Sequence, residues 1–166
     1  MPVALYTFGQ FAAPAEAPAN AGFHALNDPV FATVDAAPGL IGRSGYASDP
    51  GPAPWGEEVY PRFYEDRGDG WAPATLSLWR DLAAPFAFTY SGLHARALSQ
   101  GHRWFRRGDW PPLVLWWHRG DAPPTWAEGA ARLEALHDAG PAPGAFTFAA
   151  PFDAEGRALP PLAAGG

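Results

Sequence analysis

The sequence predicts an α+β domain of ferredoxin-like order, β-α-β-β-α-β, extended by a further helix at the C-terminal end. Three observations carry this reading. Four short apolar segments, 3–11, 40–47, 75–79 and 113–118, have strand character. Helical patterns separate the first strand from the second and the third from the fourth. A capping box at Thr125 opens a last helix beyond the fourth strand.

Taken in order, residues 3–11 alternate loosely and read as the first strand. A Pro/Ala-rich connection follows at 14–19. Asn20 caps a helical turn holding Phe23 and Leu26. Asp28-Pro29 reads as a second helix start, with Asp as N-cap and Pro at the first helical position. Val30, Phe31 and Val34 give that helix an apolar face, and Pro38-Gly39 stops it before the second strand.

Residues 48–73 are rich in Pro and Gly and are predicted to be irregular. Trp55, Tyr60, Phe63, Tyr64 and Trp71 within them point to an ordered cover, because exposed rings of that size gain by docking. In the third strand Leu76 and Leu78 share one face, and Thr75, Ser77 and Trp79 the other. Residues 82–90 and 93–106 are predicted helices, broken near Ser91-Gly92. In the fourth strand Trp116 and His118 share one face and Leu115 and Trp117 the other.

Thr125 and Glu128 form the capping box of the last helix, and Gly140-Pro141 ends it. Residues 145–152 are apolar enough to pack back on the body. The expected organisation is one domain over 1–152 and a frayed tail over 153–166. With helices on one sheet face, the other is expected to be bare and buried in a barrel-like homodimer.

Composition limits the chemistry. The chain has 166 residues, 48% of them hydrophobic, which suits one domain with a substantial core. It has no Cys, which removes thiolate nucleophiles, iron–sulfur clusters and Cys-bound zinc or haem. All 11 of its Lys-plus-Arg residues are Arg, so Schiff-base catalysis and a Walker-type phosphate loop are excluded. The formal net charge is -6 and no basic stripe stands out, which argues against nucleic acid as a partner. No apolar run is long enough to span a bilayer, so no membrane partner is expected and a soluble, cytoplasmic protein is.

The segments SLWRDL, YSGLH, HRWF, LVLWW and GPAPGAFTF resemble a bacterial family known as domain of unknown function 3291. The resemblance is close over residues 75–148 and looser before them. That family is similar to a branch of the dimeric α/β-barrel superfamily, which includes antibiotic-biosynthesis monooxygenases and haem-degrading enzymes. The resemblance implies a homodimer with a pocket between sheet and helices. The order of Trp79 on a strand and His94 on the following helix is similar to theirs. The haem-ligand position of the haem-degrading enzymes falls about one helical turn later, on Leu98 of this chain.

His94 is the one ionisable residue at the middle of an expected apolar helical stripe with Ala97, Leu98, Gly101 and Phe105. It is the candidate catalytic acid/base group. Trp79, Tyr90 and Trp104 are candidate pocket residues. Trp116 and His118 would complete an aromatic wall if they shared a face with Trp79. The leading expectation is a small-molecule enzyme of the dimeric α/β-barrel type, a monooxygenase-like oxidoreductase for a hydrophobic or aromatic compound, with no tightly held cofactor. One alternative is a haem-binding enzyme with His94 or His118 as axial ligand. Another is a non-catalytic ligand-binding or dimerisation module. Asp66-Arg67-Gly68-Asp69-Gly70 is read as a turn, since the distal Glu of a calcium loop is missing. Glu134-x-x-His137 matches only half of a di-iron pattern.

Overall fold

A computed structural model describes residues 1–162. The strands are β1 (Val3–Phe8), β2 (Leu40–Arg43), β3 (Ala74–Trp79) and β4 (Leu113–Trp117). The helices are α1 (Ala21–Asp35), α2 (Ala83–Thr89), α3 (Gly92–Gln100) and α4 (Trp126–Ala139). The result is a mixed α+β fold around one antiparallel sheet in the order β2-β3-β1-β4. Among the described residues no helix is long and apolar enough to cross a membrane.

The period-2 pattern of the strands decides where the core sits. Ala4, Tyr6 and Phe8 of β1, Leu76 and Leu78 of β3, and Val114 and Trp116 of β4 share one face. Val3 and Leu5, Trp79, and Leu115 with Trp117 share the other. The second face is covered by α1, α2 and the segment holding Phe146, Phe148 and Phe152.

The first face is not bare. Trp126, Leu133 and Leu136 of α4 lie on it, and Tyr46, Trp55, Val59, Tyr60, Phe63 and Tyr64 of the long connection complete the cover. Full burial of each α4 side chain is worth about 1.5–3 kcal/mol. This removes the argument for a dimer that buries an empty sheet face, since one chain already covers both. The aromatic content of the long connection predicted its docking. The position of α4 over the sheet was not predicted.

α4 forms where its local signals put it. The Thr125 hydroxyl accepts from the Glu128 N–H, and Gly140 ends the helix at φ 76°. At Gly129 α4 comes so close to the sheet that a Cβ would lie 2.7 Å from Tyr6 Cδ2. A glycine here sets the depth of the helix.

Elsewhere the structure corrects the sequence reading. Asp28-Pro29 does not start a second helix, because Pro29 lies inside the continuous α1. Pro29 and Ala25 are exposed, so the carbonyl that proline leaves without an N–H donor can meet water. The first strand ends at Phe8 and the second at Arg43, both earlier than expected. The helix expected over 93–106 ends at Gln100 and tightens into a 3₁₀ turn, Gly101–Arg103. α3 has no buried residue, and Leu98 is 49% exposed, so the apolar stripe around His94 is not a core stripe.

The segment expected to fray is docked through Leu162. Asp153 accepts the N–H groups of Glu155 and Arg157, Leu159 donates to the Pro151 carbonyl, and Leu162 to that of Phe148. The rest of the expected tail, 163–166, lies outside the described residues.

Candidate cleft at the end of β4

The end of β4 carries the side chains with the most chemistry around open space. A cavity of about 570 Å³ lies between β4, α4 and the docked turn 153–156, a size typical of small-molecule sites. Trp117, His118 and Arg119 line it from β4 and the residues just beyond. Glu128 and Arg132 line it from α4, and Asp153 and Glu155 from the turn. An apolar groove of about 310 Å³ adjoins it and shares Glu128, Arg132 and Gly144; Ala131, Ala135, Ala139, Ala142 and Ala145 line the groove.

His118 is buried, and its Nε2 lies 2.7 Å from the Ala122 carbonyl. A carbonyl only accepts, so Nε2 carries the proton and Nδ1 of the neutral ring is an acceptor. The ring is therefore held in one orientation and one tautomer. Arg132 donates to the Gly144 carbonyl and to Glu128 Oε1, 3.0 Å away, and its guanidinium lies 5.5 Å from the Trp116 ring centroid. The acids of the turn are engaged as well: Arg157 bonds both Asp153 and Glu155. The Arg157 backbone N–H above all, with the Arg157 side chain and the Glu155 N–H, holds the Asp153 carboxyl below its usual range. Arg119 donates to the Ala154 carbonyl and has no carboxylate partner among the described residues.

The structure places the predicted site residues in three separate neighbourhoods. Trp116 and His118 belong to the α4 side, the former fully buried and the latter in the cleft wall. Trp79 lies on the opposite sheet face, so the three do not form one aromatic wall. Strand alternation and the register Val3↔Trp79 and Val3↔Trp117 put Trp79 with Trp117 instead. Trp104 sits in an aromatic cluster with Phe11, Phe23, Trp71 and Phe105 that closes another edge of the fold.

Tyr90 is 49% exposed against Phe86 and Phe148. His94 is half-buried on α3. Its Nδ1 is 3.0 Å from the Thr89 carbonyl, and its ring is 4.8 Å from Phe88, which in turn lies 5.6 Å from Trp79. It lines neither the cleft nor the groove.

Other motifs resolve into structural roles. Glu134 accepts the Arg62 N–H, and His137 and Asp138 meet the Arg62 guanidinium, so this stretch of α4 clamps the long connection. Asp66 accepts the N–H groups of Gly68 and Gly70 and closes a turn. Sequence reasoning missed Arg119, Arg132, Asp153 and Glu155 as cleft residues. The i, i+4 pair Glu128–Arg132 was a readable helix signal, but nothing local said that the turn at 153–156 folds back beside it.

The comparison with curated proteins returned no match. Among solved structures the chain is similar to Rv0793 from Mycobacterium tuberculosis, with 17% sequence identity and a TM-score of 0.50. That likeness covers 74% of this chain and 99% of that one, and it concerns the fold alone. A family model described as domain of unknown function (DUF3291) matches residues 2–160, nearly the whole sequence, and the chain belongs to that family.

Proposed function

We propose that this protein binds a small molecule with an apolar or aromatic body and an anionic head in the cleft beside β4. His118 is the proton-transfer group of that site. The observation that carries the proposal is the cleft itself: about 570 Å³ of space beside an imidazole whose Nε2 is committed to Ala122 and whose Nδ1 is free to accept. Arg119 and the adjoining alanine-lined groove support the division into head and body. The indole N–H of Trp116, beneath Arg132, has no partner and is a further donor on this side.

The oxidoreductase reading comes from the family resemblance, and the ferredoxin-like dimeric barrel from the order of elements as well; both are part of the proposal. The observed strand order is compatible with the ferredoxin-like unit. A homodimer would need an interface other than a sheet face, because both faces are covered. Haem is the weaker alternative. The lining around His118 includes Arg119, Glu128, Arg132, Asp153 and Glu155, which suits a small polar head better than an apolar macrocycle.

Calorimetric titration with benzoate tests the proposal. Saturable binding that Arg119→Gln and His118→Gln each weaken is the expected result. Binding unchanged in both variants, or no binding of benzoate, overturns it.

A further inference from the structure

The cleft and the groove meet at one ion pair. Glu128 and Arg132, one turn apart on α4, line both spaces, as does Gly144. Anything that runs from the cleft into the groove therefore passes over them. Their spacing puts both side chains on one face of the helix. Leu133 and Leu136 take the buried face, so the pair stays at the half-buried margin.

The pair is held in place. Arg132 Nη1 donates to the Gly144 carbonyl at 2.6 Å and Nη2 to Glu128 Oε1 at 3.0 Å. The guanidinium also lies 5.5 Å from the Trp116 ring centroid. Gly144 makes room for this seat, since a Cβ there would lie 3.1 Å from Arg132 Nη1. Beyond the pair, only alanines and glycines line the groove among the described residues. Ala131, Ala135 and Ala139 are exposed and recur at helical spacing, so the groove runs open along α4 for about 12 Å.

We infer that the Glu128–Arg132 pair is the specificity-determining element of the cleft and that it selects an elongated monoanion. The inference rests on the binding reading above: the head sits at Arg119, and the body lies across the pair into the groove. Each charge of the pair is answered by the other, so neither is offered to a second head group. A further carboxylate carried into the groove would lose water, meet Glu128 and gain no free cation. An alkyl body loses nothing there and covers alanine methyls and the Arg132 methylenes.

Calorimetric titration of the intact protein with benzoate, para-butylbenzoate and terephthalate tests this. The butyl compound should bind roughly tenfold more tightly than benzoate, because a fully buried methylene is worth about fourfold and an open groove buries only part of the chain. Terephthalate should bind more weakly than benzoate. Ala135→Phe, at an exposed groove position, should erase most of the butyl gain. Glu128→Gln leaves Arg132 without its carboxylate and should raise terephthalate affinity relative to benzoate roughly fivefold. Ratios between compounds within one variant cancel any change common to all three. Benzoate binding with no gain for the butyl compound overturns this inference and leaves the cleft reading standing. No binding of any compound overturns both. A butyl gain that survives Ala135→Phe, terephthalate binding as tightly as benzoate, or a terephthalate ratio unmoved by Glu128→Gln also overturns the inference.

Discussion

The two faces of the sheet use the same kinds of residue differently. On the α1/α2 side the indoles are partnered. Trp79 Nε1 donates to Ser77 Oγ at 2.8 Å, and Trp117 Nε1 to the Phe152 carbonyl at 2.8 Å. On the α4 side Tyr6, Tyr64, Trp116 and Trp126 all keep a buried polar atom without a partner. Folded proteins satisfy nearly all buried polar groups, so a concentration of exceptions on one face needs a cause. Both faces are core, and they differ in how their indoles and phenols are satisfied within the described residues.

The largest effect should come from the core face. Trp79→Ala should cost about 3–5 kcal/mol, read by denaturant unfolding, because it empties a fully buried position packed on Phe88. A loss below 1 kcal/mol, well under that range, would mean that this face tolerates voids and is not the rigid half.

A matched pair sharpens the contrast. Ser77→Ala strands the Trp79 indole N–H and should destabilise by about 1–3 kcal/mol. Tyr6→Phe removes a hydroxyl that has no partner, and in ligand-free protein it should be neutral or stabilising. Equal losses in the two variants would break the comparison.

The pH dependence should follow Glu58. Its pKa in the fold is raised above the ordinary value of 4.5, so the folded state holds that proton more tightly than the unfolded chain. The sign is therefore a loss of stability as pH rises from that value through the raised one. Glu58→Gln should gain stability relative to the native protein across that rise. Parallel pH profiles for the two proteins would show that the carboxyl is not held in the way described.

A small loss is expected at His94. It makes one hydrogen bond to the Thr89 carbonyl on a helix without buried residues, so His94→Gln should cost about 0.5–1.5 kcal/mol and leave benzoate binding intact. Loss of benzoate binding in that variant would return the site to α3.

These contrasts show what the sequence could and could not reveal. Strand periodicity located all four strands and correctly paired Trp116 with His118 and Leu115 with Trp117. It could not say which face of β3 meets which face of β4, because that depends on the register of each with β1. Hence Trp79 was grouped with residues it backs onto through the sheet. The cap at Thr125 was local and readable, whereas the seat of α4 on Tyr6 depends on a contact between residues 6 and 129 that no local pattern encodes. Likewise Arg132 and Asp153 meet at the cleft only because a Pro/Gly-rich terminus folds back.

The central proposal is that the cleft at the end of β4 holds the ligand. The indole ¹H–¹⁵N spectrum, followed during titration with benzoate, tests it most directly. The account predicts that Trp117, which lines the cleft, responds to benzoate, while Trp79, which does not line it, stays in place. A shift at Trp79 without one at Trp117, or no shift at either, would contradict it.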